Sequence, residues 1–160
     1  MKNNIIYVWS SDFEDFTGEG ILARNYLSKV SGHYKGKIKI KSNNSEYIVF
    51  KNKLKKIRSS KYKNNFFNKY IKLFLGILYI QRYDAKGYKT IYINYLPLWN
   101  FLIFWFLPKN TILGPITGGK YVVKRLSFNS VVREYIFPLF FKFSSSILEK
   151  KNINLLFSTK

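Results

Sequence analysis

The chain has no cysteine, one histidine, four prolines and only eight acids among 160 residues. Without cysteine there is no disulfide, no thiolate metal site and no thiol nucleophile. The single histidine, His33, falls just past a predicted helix and reads as a surface residue rather than a catalyst. No set of His, Asp and Glu has metal-ligand spacing, so no metal is expected. Residues 1–9 lack the long apolar segment of a signal peptide. One uncharged stretch, Thr90 to Pro108, approaches the length of a transmembrane helix. Asn94, Pro97 and Asn100 interrupt it. It therefore reads as a buried strand, Thr90–Asn94, then a short helix, Pro97–Leu107, with Pro97 near its first turn.

What is abundant is lysine and aromatic carbon. The formal net charge is +20, and aromatics make up 19% of the chain. The length and apolar content suit one domain with its own core. Part of the charge fits an AT-rich coding bias. The rest implies affinity for polyanions such as nucleic acid, anionic headgroups or phosphorylated substrates. Half of the acids, Asp12, Glu14, Asp15 and Glu19, gather in one stretch. They could include a general base for a sugar hydroxyl, or form a solvated acidic loop.

Ile5–Trp9 is a continuous apolar run, as in a strand buried on both faces. Gly20 to Val30 reads as a helix ended by Ser31-Gly32. Lys35–Lys41 alternates lysine and isoleucine, an edge strand or hairpin arm. Glu46–Phe50 reads as a strand and Lys51–Lys63 as a basic connector. Asn65–Arg82 carries apolar residues at helical spacing, and so does Phe128–Leu148, where Pro138 should kink the helix. Thr111–Leu113 and Ile153–Thr159 read as buried strands. This alternation predicts an α/β fold with a mostly parallel, Rossmann-like sheet and helices on both faces. The chain stops after its last strand, so the expectation is a single domain, 1–160, truncated before a second one.

Two glycine-containing turns follow predicted strands. The first is Gly18-Glu19-Gly20 at a helix start, with Arg24 one turn on. The helix dipole and free N–H groups there suit a phosphate or sugar oxygen, though a plain turn fits as well. The second is Gly114-Pro115-Ile116-Thr117-Gly118-Gly119-Lys120, read as a loop that lets backbone approach a ligand. Thr117 could bond a substrate hydroxyl, and Lys120 could hold a phosphate.

Ile5–Trp9, Thr17–Arg24, Tyr95-Leu96-Pro97 and Leu113–Gly119 together resemble the N-terminal half of a retaining glycosyltransferase with the GT-B fold, close to glycosyltransferase family 4. The resemblance covers nearly the whole chain through short motifs. It implies two Rossmann-like domains facing a cleft. The N-terminal one binds the acceptor, and its glycine loop approaches the donor diphosphate. The second binds the nucleotide-sugar. Many relatives place a histidine near the reacting sugar, but none follows His33 here.

The expected substrate-binding residues are Gly18, Glu19, Gly20, Arg24, Gly114, Thr117, Gly118 and Gly119, with no catalytic residue assigned. The expected partners are a nucleotide-sugar, which is a substrate and not a cofactor, and a glycan or lipid-linked acceptor for surface polysaccharide such as capsule. A separate donor domain and an anionic membrane surface complete the expectation. The chain is then cytoplasmic, peripheral on the inner membrane, and inactive alone. A basic nucleic-acid-binding module and a small membrane protein are the alternatives, although no RNP, KH or zinc signature supports the first.

Overall fold

A computed structural model describes residues 4–16, 18–59, 66–97, 100–117 and 139–157. The elements in order are β1 (Ile5–Trp9), α1 (Gly18–His33), β2 (Lys37–Lys41), β3 (Ser45–Phe50), β4 (Lys53–Ser59), α2 (Phe66–Asp84), β5 (Lys89–Pro97), α3 (Phe101–Phe106), β6 (Ile112–Thr117), α4 (Leu139–Lys150) and β7 (Asn154–Phe157).

All seven strands form one mixed sheet in the order β4-β3-β2-β1-β5-β6-β7. β2, β1, β5, β6 and β7 run parallel, and β2-β3-β4 is an antiparallel meander. The winding reverses at β1. α1 carries the chain to one side of β1, and α2 carries it back to the other. In open α/β sheets, the crevice at the carboxyl ends of the two strands flanking such a reversal is where ligands bind. Here those strands are β1 and β5.

The two sheet faces have separate cores. On one, Ile6, Val8, Ile38, Ile40, Tyr47, Val49, Ile91 and Ile93 pack with Ala23 and Leu27 of α1. On the other, Trp9, Tyr92 and Leu113 pack with α2, α3 and α4 through Ile77, Ile80, Ile103, Phe104, Ile147 and Leu148. Gly76 sits on α2 where the Trp9 indole lies against the helix. A Cβ at this position would overlap the ring, so the glycine lets helix and strand approach. α3 is short and is held from outside. Lys151 Nζ donates to the carbonyls of Trp105 and Leu107, and Gln81 Nε2 donates to Phe106 O at 2.8 Å. These groups satisfy carbonyls that a helix end leaves unpaired.

Several boundaries differ from the sequence reading. Lys53–Ser59, read as part of a connector, is the edge strand β4. β2 is therefore an interior hairpin arm and not an edge. α1 runs on through Ser31 and Gly32 to His33. Pro97 closes β5 instead of opening α3. Gly114–Thr117, read as loop, lies in β6. Register shifts on both edges of β6, between Ile93 and Leu96 and between Leu113 and Ile116, let the strand take Gly114 and Pro115. Of Phe128–Leu148, residues 139–148 are helical, while Pro138 and its expected kink lie outside the described residues. Among the described residues no helix is long and apolar enough to cross a membrane. The uncharged stretch from Thr90 instead supplies β5 and the six-residue α3.

Candidate functional site

At the carboxyl ends of β1 and β5 the fold brings together Ser10, Ser11, Asp12 and Asn94. Ser10 is buried, and its N–H donates to Lys41 O at 3.0 Å. This bond carries β1 one residue past its pairing with β2. The chain then turns, and Asn94 of β5 catches it. Asn94 Oδ1 accepts the Ser11 N–H at 2.9 Å and the Ser11 hydroxyl at 2.8 Å. A backbone N–H only donates, so the amide oxygen must face Ser11 and the NH2 must point elsewhere. Among the described residues that NH2 makes no hydrogen bond of good geometry, the nearby Tyr92 hydroxyl being engaged with Leu73 O, and Asn94 is 4% exposed. A buried donor left unpaired costs about 1–3 kcal/mol, which a ligand oxygen would recover. Ser11 Oγ also lies 2.7 Å from Asp12 Oδ2. Its one hydrogen serves either Asp12 or Asn94 at a time.

The acidic loop after β1 divides by role. Glu14 is engaged: the Tyr47 hydroxyl and Lys56 Nζ, the latter at 3.0 Å, both donate to its Oε1. Partial burial pushes this carboxyl up, but Tyr47 and Lys56 outweigh burial and hold it below its ordinary value. Asp15 is shifted the other way, up, by burial and by the neighbouring Asp12 and Glu14. Asp12 is the carboxylate that stands with Ser11 and Asn94. An amide donor beside a carboxylate acceptor is the pairing that orients a hydroxyl, and the carboxylate can take its proton.

Gly18, Glu19, Gly20 and Arg24 all lie on the first half of α1, directly after this loop. Gly18 and Glu19 are exposed at the start of the helix. Gly20 is buried, and a Cβ there would strike the carbonyls of Asp12 and Asp15. Its bareness serves the packing of the loop on the helix. Arg24 Nη1 donates to Phe13 O at 2.6 Å and Asp15 O at 2.8 Å. Arg24 thus clamps the acidic loop.

Gly114 and Thr117 lie on β6, and β5 stands between that strand and β1. The two glycine turns are therefore not on adjacent strands. Gly118, Gly119 and Lys120 lie outside the described residues. Neither Ser11 nor Asn94 stands out in the sequence as a binding residue. A polar residue closing the buried run Thr90–Ile93 was the available signal. Among the described residues, no group of three His, Cys, Asp or Glu side chains could hold a metal ion.

No family model, curated protein or solved structure matches the chain.

Proposed function

We propose that this chain is the acceptor-binding, Rossmann-like domain of a glycosyltransferase of the GT-B type. Its partner would be a second α/β domain that holds the nucleotide-sugar. The carrying observation is the buried Asn94 at the winding reversal, whose oxygen holds Ser11 and whose NH2 makes no hydrogen bond of good geometry among the described residues. Beside it stand Ser11 and Asp12, and the first turn of α1 follows the same loop. Neutral donors and one carboxylate suit the hydroxyls of a sugar. The short-motif resemblance to glycosyltransferase family 4 points the same way.

The reading includes peripheral attachment to an anionic membrane. Ile71, Phe74, Leu75 and Leu78 on α2 are exposed, as are Leu102, Trp105 and Phe106 on α3, and Leu139 and Phe143 on α4. Leu78 is 60% and Trp105 55% exposed. These helices cover one side of the sheet, and Trp105 stacks on Phe143 at 6.4 Å. Exposed apolar surface of this extent marks a binding face. With a net charge of +20, an anionic bilayer attracts it and a second copy repels it.

Saturation-transfer NMR on the full chain with soluble oligosaccharide acceptors tests the acceptor site. Binding should occur and weaken about ten-fold in Asn94→Ala, the effect of losing one good hydrogen-bonded contact. No saccharide binding, or equal binding by the variant, would overturn the reading.

A further inference from the structure

The β2-β3-β4 meander presents a second feature, beside the end of β1. Its α1-side face is buried by Ile38, Ile40, Tyr47 and Val49. Its other face carries a grid fixed by the register. Lys41, Glu46 and Arg58 form one row, and Lys39, Ile48 and Lys55 the next. Lys37 on β2 and the Phe50–Lys53 pair close the grid at its far end. Cations therefore line β2 and β4, while β3 between them contributes Glu46, Ile48 and Phe50. Adjacent strands lie about 4.8 Å apart, so the two lines of cations stand about 10 Å apart.

Six cations face one acid, Glu46, which pairs with Lys41 at 2.8 Å. Lys37, Lys53, Lys55 and Arg58 are exposed, and Phe50 is 40% exposed. Like charges held this close repel one another, and nothing among the described residues neutralises β4 on this face. Such an array lowers its energy by taking on a polyanion and releasing that anion's counterions.

We propose that this face binds a linear anionic glycan, a polyuronate-like chain, as the acceptor or growing product. This rests on the glycosyl-transfer reading for the choice of glycan. Two observations select it over single-stranded nucleic acid. Sheet surfaces that read nucleic acid stack bases on several exposed aromatic rings, whereas this grid exposes one, Phe50, and the neighbouring Tyr7 ring under Lys39 is buried. Lys37 and Lys51 place their ammonium groups over the Phe50 ring, at 5.9 and 5.6 Å from its centroid. The face is also continuous with the crevice. Lys41 pairs with Trp9, and the next residue, Ser10, bonds Lys41 O. A chain lying between the two lines of cations would point its end toward Ser11 and Asn94.

The test measures retention of the full chain on immobilised polyuronate against salt. Neutral dextran, a single-stranded DNA of equal charge and phosphatidylglycerol vesicles serve as comparisons. The variant K53Q/K55Q/R58Q lies wholly on exposed positions of the edge strand, and circular dichroism checks its fold. Polyuronate should bind at physiological salt, and the triple variant should bind about ten-fold more weakly with a shallower salt slope. Vesicle binding should change much less. No polyuronate binding, equal binding by the variant, or tighter binding of DNA overturns the proposal. So does a loss of vesicle binding as large as the loss of polyuronate binding. Failure of the glycosyl-transfer reading shows separately. It appears as lost oligosaccharide binding in the crevice while polyuronate is still retained through β4.

Discussion

Asn94 Oδ1 accepts both the backbone N–H and the hydroxyl of Ser11, a residue 83 positions earlier in the chain. One side chain thus ties the carboxyl end of β5 to the turn that leaves β1. The bond commits the amide's oxygen to Ser11 and turns its buried NH2 away from that residue.

Asn94 should therefore carry both structure and binding. Asn94→Ala strands the Ser11 N–H, and urea unfolding should show a loss of about 1–3 kcal/mol. Asn94→Asp keeps the acceptor and deletes the donor. It should keep the Ser11 N–H bonded while losing saccharide binding as fully as Asn94→Ala, although its buried charge beside Asp12 adds a stability cost of its own. Ser11 amide exchange as slow in Asn94→Ala as in the unmodified chain would show that the oxygen is not the structural half of the amide.

How far this site was readable depends on what each residue type advertises. Ile5–Trp9 is apolar at every position, so β1 was evident, and so was the apolar periodicity of α2. β4 was not evident. Its Lys53, Lys55, Lys56 and Arg58 look solvated in sequence, and only pairing with β3 makes them a strand. Gly114 and Pro115 look like turn residues. The paired register shifts that admit them to β6 are tertiary. Asn94 was visible only as a break in a hydrophobic run, because its partner comes from the other strand of the reversal.

Gly76 and Gly18 give opposite expectations from the same substitution. A methyl group at position 76 meets the Trp9 indole, so Gly76→Ala should destabilise by about 1–3 kcal/mol. Nothing lies within 4 Å of a Cβ at Gly18, so Gly18→Ala should leave the melting temperature nearly unchanged. Thermal unfolding by circular dichroism distinguishes the two.

Glu14 should make the fold acid-sensitive. Its carboxyl sits below its ordinary value of 4.5 in the folded chain. A depressed carboxylate contributes stability above its unfolded pKa and loses it as pH falls through the folded one. The loss therefore occurs below about pH 4.5. Tyr47→Phe removes a donor to the carboxylate. In that variant Glu14 should protonate at higher pH, and the acid limb of the stability curve should flatten. Asp15, raised by burial and by its acidic neighbours, acts with the opposite sign. Asp15→Asn should therefore steepen the fall in stability on acidification. Urea midpoints from pH 3 to 7 provide the measurement.

The exposed helices on one side of the sheet should govern membrane attachment. Leu75 and Leu78 lie one turn apart or less on α2, 50% and 60% exposed. L75E/L78E places two carboxylates where apolar side chains would enter the headgroup region. Charge repulsion and lost apolar burial then act together. Co-sedimentation with phosphatidylglycerol vesicles should fall at least ten-fold, since burying even one leucine is worth about 1.5–3 kcal/mol and each ~1.4 kcal/mol is ten-fold. The fold should survive, because neither side chain belongs to the core. Binding to zwitterionic vesicles should be much weaker than to anionic ones for the unmodified chain. Equal binding to both would remove the role assigned to the +20 charge, and unchanged binding by L75E/L78E would remove the role assigned to α2.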